Sequence, residues 1–228
     1  MPYPSQAQAL RETSLLQGLP DKLVLHIERH LTPWPKNGKR LIFFKGDPEN
    51  FVVFVHRGNV YHTLQEPGGR EVILDYTLAG GVVGESALLY PHCRSFTALL
   101  SPDCQVSLLY RQHFAPLQAN PDFIARIQQQ VCSRLQQLSD FVESACLYRL
   151  EARLARHLLT RMEGGDVRLP ANQSIMAAML NVSRPRLNIL LQRWLREGLI
   201  RPHASALRIE NPERLRLIAA KNNLLPST

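Results

Sequence analysis

The stretch Asn172–Ile200 reads NQSIMAAMLNVSRPRLNILLQRWLREGLI and decides the fold of the C-terminal part of the chain. After Ser183, apolar residues recur at i, i+3, i+4, i+7 and i+8, the spacing of one buried helix face: Leu187, Leu190, Leu191, Trp194 and Leu195. Ser183 can cap the first-turn amides, and Pro185 follows where a missing N–H does no harm. Asn181 suits a left-handed turn position. The pattern predicts two helices joined by a tight turn, the second ending before Gly198.

The second predicted helix has a basic outer face. Its outward positions are Arg184, Pro185, Arg186, Asn188, Ile189, Arg193 and Arg196. A short helix, a tight turn and a second helix with such a face are typical of the helix-turn-helix, which reads the major groove of DNA. Asn172 and Gln173, which open the first helix, are further candidate DNA contacts. An ordinary helical hairpin with a solvated basic face is the alternative.

The charge of the chain is concentrated in the same region. Residues 148–228 contain 14 Lys and Arg against 6 Asp and Glu, whereas residues 1–147 contain 13 of each. The whole net charge of +8 therefore belongs to the part that holds the helix pair. This asymmetry favours a polyanionic partner such as double-stranded DNA. A membrane surface would accept the same charge, but no run of eighteen apolar residues and no basic tail beside an apolar anchor is present.

The N-terminus and the cysteines indicate the compartment. The opening residues 1–6, MPYPSQ, lack the basic start and apolar run of a signal peptide. The four cysteines have no C-x-x-C spacing, which argues against a zinc or iron–sulfur cluster: Cys93, Cys104, Cys132 and Cys146. We expect reduced thiols and a cytoplasmic protein.

Between Arg40 and Leu109 the pattern changes to short β-rich runs. Turn signals separate them, among them Pro67-Gly68-Gly69. The predicted strands are Leu41–Phe44, Phe51–Arg57, Asn59–Leu64, Glu71–Thr77, Phe96–Leu100 and Gln105–Tyr110. Regularly spaced strands of this length predict an antiparallel barrel or jelly roll with a ligand space inside. At 228 residues the chain has room for a second domain.

A long amphipathic segment runs from Pro121 to about Cys146. Its apolar positions step by three and four, as in a coiled-coil dimer seam: Ile124, Ile127, Val131, Leu135, Leu138, Val142 and Ala145. The alternative is a helix packed on its own barrel. After the helix pair, two short runs flank residues 202–206 and predict a small hairpin, or wing.

A second diagnostic segment lies inside the β-rich region. Gly84-Glu85-Ser86 is followed by Arg94-Ser95. A Gly-led turn exposes backbone amides, a Glu can bind a vicinal hydroxyl, and Arg-Ser can bind a phosphate. This cassette suggests a phosphorylated ligand, although it can also persist as barrel packing with no ligand.

These features together resemble the cyclic-AMP receptor protein (Crp–Fnr) family of bacterial transcription regulators. The resemblance extends from about Leu15 to Ile209 and includes the cassette, the long helix and Ser183-Arg184. It also includes the motifs Phe44-Lys45-Gly46-Asp47, Val55-His56-Arg57-Gly58-Asn59-Val60 and Gly69-Arg70-Glu71-Val72-Ile73-Leu74. It implies an α+β chain in three parts. These are a cyclic-nucleotide-binding-type β-roll (jelly roll) in residues 1–119, a dimerisation helix in 120–147 and a winged helix-turn-helix in 148–228. It also implies a homodimer on near-palindromic DNA and RNA polymerase as a partner.

The resemblance assigns effector contacts residue by residue. Gly84, Glu85 and Ser86 correspond to the part that holds ribose and phosphate, and Arg94 and Ser95 to the part that binds the cyclic phosphate. Arg134 matches an Arg that pairs with the Glu. The Thr-Ser pair that meets adenine is here Leu138-Ser139, and Leu138 offers no hydroxyl. A lost polar partner costs about 1–3 kcal/mol. A cyclic nucleotide is therefore the leading ligand, but the departure argues against cyclic AMP. Replacing Arg94 by Ala is expected to abolish the response and spare the fold.

The resemblance also assigns DNA contacts. It places Arg184, Pro185, Asn188 and Ile189 at base edges, with Arg184 on a guanine. Family members commonly carry a Glu and a second Arg where this chain has Pro185 and Ile189, so the half-site should differ from their consensus. The remaining arginines are expected to bind phosphate: Arg186, Arg193 and Arg196.

Other chemistries fit the sequence less well. A ligand-independent regulator remains an alternative. A haem- or redox-sensing regulator would use His92, Cys93 or Pro2, and an iron–sulfur member would need earlier cysteines. A cupin-type enzyme needs clustered metal ligands. His26 and His30 are four residues apart on a helix and could face one metal, but no Glu joins them as in a zinc protease. A cyclic-nucleotide-binding subunit that acts on a protein without DNA would leave the basic helix pair unexplained.

Overall fold

The computed structural model describes Thr13 and residues 15–35, 39–66, 71–90, 92–168, 173–203 and 206–220. The chain divides into two compact units, Met1–Gln137 and Leu138–Thr228. Several predicted features lie outside the described residues: Pro2, the turn at 67–69, Asn172 and the hairpin tip at 204–205. Within the described part, no helix is both long enough and apolar enough to span a membrane.

The first unit contains two four-stranded antiparallel sheets. Their strands are β1 (Thr32–Pro33), β2 (Leu41–Phe43), β3 (Phe51–Arg57), β4 (Asn59–Gln65), β5 (Glu71–Leu78), β6 (Val82–Val83), β7 (Thr97–Leu100) and β8 (Gln105–Tyr110). The strand order is β1-β8-β3-β6 in one sheet and β2-β7-β4-β5 in the other. All six predicted runs lie within a residue or so of observed strands, which confirms the predicted β-roll.

Strand β3 shows how the sequence builds this unit. Successive side chains of a strand point to opposite faces of the sheet. Val53 and Val55 belong to the apolar cluster that also contains residues of the opposite sheet. Val52 and Phe54, one step out of phase, belong to a second cluster with the helices. A continuous apolar run is therefore buried on both faces.

Among the residues that the structure describes, four helices accompany the sheets. They are α1 (Asp21–His30), α2 (Ser86–Leu89), α3 (Ala115–Gln118) and α4 (Pro121–Leu147), and a 3-10 turn (Arg111–His113) follows β8. Asp21 is the first residue of α1, and Pro20 occupies its N-cap position. Helix α4 is the long predicted helix, and the division between the two units falls within it.

The second unit consists of helices and a small antiparallel sheet. Its elements are α5 (Leu150–Thr160), β9 (Asp166–Arg168), α6 (Gln173–Met179), α7 (Arg184–Arg196), β10 (Ile200–His203), β11 (Ala206–Ile209) and α8 (Pro212–Ala220). The predicted hairpin is present, because Ile200 pairs with Ile209 and His203 with Ala206. With β9, it forms the sheet beside the helix pair. The α+β fold predicted from the sequence is the fold observed.

Candidate DNA-binding face and effector site

Helices α6 and α7 form the predicted pair. Leu187, Leu190, Leu191 and Trp194 are buried, and Leu195 is half-buried against the same core. Asn181 adopts a φ of 48° in the turn, as its residue type suggested. Gly198, with a φ of 64°, follows the end of α7.

The capping role predicted for Ser183 is wrong in one respect. Ser183 is the N-cap residue of α7 and has extended backbone angles, but its hydroxyl makes no capping hydrogen bond. Pro185 occupies the second position of the helix and has no N–H. One of the two amides that a cap would bind is therefore missing, and the first turn is closed by the backbone bond from Leu187 N to Ser183 O, 3.1 Å.

The outer face of α7 is open to solvent. Ile189 is 70% exposed, so its apolar side chain is open to a partner. The other predicted contacts on this face are also exposed: Arg184, Pro185, Arg186, Asn188 and Arg196. Gln173, at the start of α6, is exposed as well. The predicted guanidinium and amide groups of the helix pair are therefore all accessible to a partner.

Arg193 differs from its neighbours because an acidic residue holds it. Its Nη2 donates to Glu151 Oε1 at 3.0 Å, and Glu197 lies 4.0 Å from its Nε. Burial opposes ionisation of Glu151, but hydrogen bonds from its backbone and from Arg193 outweigh it and lower its pKa. Sequence reasoning missed Glu151, which lies 42 positions away on α5. A phosphate that contacts Arg193 would have to compete with this carboxylate.

In the first unit, the Arg94 side chain of the cassette is enclosed by other parts of the chain. The Arg94 side chain is only 1% exposed, and its guanidinium lies 4.2 Å from the Phe43 ring centroid and 4.8 Å from that of Phe51. Gly84 has a φ of 76°, and a Cβ at this position would lie 2.1 Å from Arg94 Nη1. The glycine is therefore required by the close approach of the guanidinium.

A carboxylate that sequence reasoning missed shares this enclosure. Glu49 is 4% exposed, its Oε1 lies 3.9 Å from Arg94 Nη1, and it accepts a hydrogen bond from Ser86 Oγ at 3.0 Å. The loops meet because Arg94 N bonds Asp47 O at 2.9 Å and Pro48 pairs with Cys93. No spacing rule links positions 49 and 94, so only the fold shows this neighbour.

Several buried polar atoms in the enclosure have no hydrogen-bond partner among the described residues. Among the described residues, Arg94 Nε and Nη1 and Glu49 Oε2 form no hydrogen bond. Burial lowers the pKa of Arg94, and Glu49 opposes that shift. Buried polar atoms are normally satisfied, so two unpaired guanidinium nitrogens provide donors for an anion. Ser95, the other predicted phosphate contact, is exposed.

Arg134 extends from α4 into the same unit and joins Glu85, as the sequence suggested. It forms an ion pair with Glu85 and lies 3.6 Å from Asp75. It also donates to His62 Nδ1 and to Thr77 Oγ1, both at 3.0 Å. Burial raises the pKa of Glu85, whereas Arg134 lowers it.

His62 is a further residue that the sequence did not assign to this site. It is buried, and its ring stacks on Phe96 with centroids 4.1 Å apart. Burial, with Arg134 in addition, holds its pKa well below the usual value, so the ring is neutral. A guanidinium only donates, so His62 Nδ1 accepts and its Nε2 proton points to Thr77. These groups fix the inner end of Arg134.

The apolar row of α4 separates into two halves. Ile127 is fully buried in its own unit, with Ile124 and Val131 packed against the same cluster. For Ile127 the dimer seam is wrong and the alternative, packing on the chain's own β-roll, is correct, because its side chain is fully buried within its own unit. The next members of the row are exposed: Leu135 by 64%, Leu138 by 41% and Val142 by 51%.

Leu138 and Ser139, the predicted base contacts, are both exposed on α4 beyond the division between the units. His92 and Cys93, considered as sensing residues, are also exposed and line a shallow cleft with Pro48, Glu49, Asn50 and Arg111. All four cysteines are free.

Each of the two units matches a known domain family. Residues 37–120 match the cyclic nucleotide-binding domain model, and residues 152–218 match the Crp-like helix-turn-helix domain model. The cAMP-activated global transcriptional regulator CRP of Salmonella typhimurium is 23% identical over 189 residues, 78% of this chain and 88% of that protein. The CRP-like cAMP-activated global transcriptional regulator of Mycobacterium tuberculosis is 21% identical, over 91% of this chain and 97% of that protein.

Solved structures share the fold. FixK2 from Bradyrhizobium japonicum superposes with a TM-score of 0.71 at 19% identity, over 84% of this chain and 98% of that one. The c-di-GMP responsive regulator CLP of Xanthomonas campestris gives 0.71 at 18% identity, over 84% of this chain and all of that one. With both domain models matched in the expected order, this chain belongs to the Crp–Fnr family of DNA-binding transcription regulators.

Proposed function

We propose that this chain is a homodimeric, sequence-specific transcription regulator that works in the cytoplasm and has no catalytic activity. Each subunit places α7 in the major groove of one half of a near-palindromic site, and RNA polymerase is the partner through which transcription changes. The observation that carries the proposal is the exposed face of α7, on which Arg184, Asn188 and Ile189 lie side by side.

A retardation assay with the purified full chain and a random DNA duplex tests the proposal. We expect a shifted band that weakens steeply as salt increases. Replacing both Arg184 and Arg186 by Ala should remove most of the binding. Arg57→Ala is the matched control, because Arg57 is an exposed arginine on the β-roll. No shift at low salt would favour a cyclic-nucleotide-binding subunit that acts without DNA.

The exposed half of the α4 row supports the dimer. Leu135, Leu138 and Val142 keep the three-four step of a seam and are left uncovered by their own chain. Large exposed apolar side chains in such a row are typical of an association surface. We propose that these residues pair with the same residues of a second copy.

Light scattering tests the seam directly. The double variant Leu138→Glu/Val142→Glu should be monomeric, because it places like charges opposite each other. Ser133→Glu is the control, because Ser133 is exposed about half a turn away from the seam. A parent protein that is a stable monomer at micromolar concentration, and that binds DNA as a monomer, would contradict the dimer.

We further propose that the cassette binds the phosphate of a cyclic nucleotide or a related effector. Gly84, Glu85, Ser86, Arg94, Ser95 and Arg134 supply the contacts, and the base faces Leu138 and Ser139. The unpaired Arg94 Nε and Nη1 support an anion at this place. Glu49 opposes it, because its carboxylate already lies 3.9 Å from Arg94. An effector phosphate must displace that carboxylate or share the arginine with it.

Calorimetry with cyclic mono- and dinucleotides tests the effector. Glu49→Gln removes the competing charge and keeps the size of the side chain, so it should bind the effector more tightly than the parent. Glu71→Gln, an exchange of a glutamate elsewhere on the β-roll, is the control. No heat with either parent or Glu49→Gln would favour the ligand-independent regulator, in which Glu49 permanently satisfies the arginine.

A further inference from the structure

Three histidines meet where α1 lies beside the 3-10 turn that follows β8. One ring nitrogen of each histidine lies within 4.8 Å of one ring nitrogen of the other two: His26, His30 and His113. The rings of His30 and His113 stack with centroids 4.0 Å apart, and the His26 and His30 centroids are 4.5 Å apart. All three side chains are half-buried.

Backbone carbonyls orient two of these rings. His30 Nδ1 lies 2.7 Å from His26 O, and His26 Nε2 lies 3.0 Å from His113 O. A carbonyl oxygen only accepts, so both nitrogens carry the proton, and the other nitrogen of each ring has a free lone pair. Metal-binding imidazoles usually donate their second N–H to a carbonyl or carboxylate in this way.

The third ring can supply a ligand with little loss. His113 Nε2 lies 3.0 Å from the side-chain nitrogen of Gln112 in an exposed hydrogen bond. A metal ion would replace this bond, and water would satisfy the amide. The neutral imidazole is the form that binds metal ions.

We propose that His26, His30 and His113 bind a divalent transition metal ion of the Zn²⁺, Ni²⁺ or Cu²⁺ class. Three imidazole nitrogens and no carboxylate suit these ions, whereas Mg²⁺ and Ca²⁺ prefer oxygen ligands. Water completes the coordination. The ion joins α1 to a turn more than 80 positions later in the chain, so it stabilises the β-roll. None of the three histidines belongs to the cassette or to α7.

The test is Zn²⁺ titration of the metal-free full chain by calorimetry. Cys93, Cys132 and Cys146 are exposed, and a free thiolate is itself a zinc ligand, so the parent for this experiment carries Ser at these three positions. We expect one ion per chain and a higher midpoint of thermal unfolding when zinc is present. His30→Gln and His113→Gln should each weaken binding by more than about 100-fold, because each removes a direct ligand. His92→Gln, an exposed histidine outside the cluster, should leave binding unchanged.

Two outcomes would overturn the site. Zinc binding that is equal in His30→Gln and the parent would place the ion elsewhere, and no binding to the parent would show that the three rings only pack together. Ni²⁺ and Cu²⁺ titrations of the same variants decide which ion of the class is preferred. The DNA retardation assay of the metal-free protein is read separately, so loss of the metal site and loss of DNA binding are distinguishable.

Discussion

Arg94 in the β-roll and Arg184 on α7 use the same guanidinium group in opposite ways. Arg94 is enclosed by two aromatic rings and faces Glu49, whereas Arg184 is open to solvent at the start of a helix. An exposed charge can meet an external partner at little cost. A buried one needs a counter-charge in its own chain, and any ligand must compete with that group. Arg184 can therefore contact DNA directly, whereas an anion that binds Arg94 must compete with the carboxylate of Glu49.

The largest expected difference between the two arginines is in stability. Arg94→Ala should lower the free energy of unfolding by about 3–5 kcal/mol, because it leaves Glu49 buried without a counter-charge. This corrects the expectation that the change would spare the fold. Arg184→Ala should change stability by less than about 0.5 kcal/mol. Urea unfolding of both variants measures the contrast, and equal values would show that Arg94 is not held as the structure shows.

A half-buried histidine in the second unit makes stability depend on pH. Burial, with Arg161 in addition, lowers the pKa of His157 on α5 from 6.5 to about 4. The unfolded chain therefore takes up a proton before the folded chain does, so stability is complete above pH 6.5 and falls as the pH drops toward about 4. At about pH 5 the loss should be about 2 kcal/mol. Urea unfolding of His157→Gln should show a smaller loss by this amount, and an identical pH dependence would contradict the burial.

On the exposed side, Arg184 should control base preference. Arg184→Ala should relax selection at one guanine at a cost of about 1–3 kcal/mol, because a bidentate contact to that base is lost. Arg186→Ala is the control and should weaken all sequences alike. Binding to duplexes that differ at each position measures both. Equal weakening of all duplexes by Arg184→Ala would show that it binds phosphate.

The smallest expected effect concerns Arg193, which is exposed but held by an acid. Arg193→Ala should weaken all DNA sequences alike and reduce the slope of binding against salt by about one. Glu151→Gln should instead strengthen binding to all DNA sequences and increase the slope, because it releases Arg193 for a phosphate. Binding measured at several salt concentrations checks both variants. An unchanged slope in both would mean that Arg193 only joins α7 to α5.

Local patterns in the sequence predicted much of the fold and of the DNA-binding face. The stripe of Leu187 to Trp194 and the β-rich run Phe51–Arg57 depend on neighbours within a few residues, and both are confirmed. The outer face of α7 follows from the same helical period. Asn181 and Gly198 were also recognisable, because few residue types adopt a positive φ.

Contacts between distant positions could not be predicted. Glu49 meets Arg94, and Glu151 meets Arg193, only because the fold brings separate segments together. The row on α4 looks uniform in sequence, yet Ile127 is fully buried and Leu135 is exposed. His113 joins His26 and His30 in the same way, although the first two were visible as a pair four residues apart.

Selection from random DNA duplexes by the purified full chain tests the central claim most directly. We predict two inverted half-sites about one helical turn apart, roughly 34 Å, as expected for two copies of α7 related by two-fold symmetry. Each half-site should keep one guanine read by Arg184 and otherwise differ from the usual family consensus, because Pro185 and Ile189 offer only apolar contacts. Recovery of the usual consensus unchanged would contradict the residue assignments on α7. No enrichment of any sequence would contradict the proposal that the chain is a sequence-specific regulator.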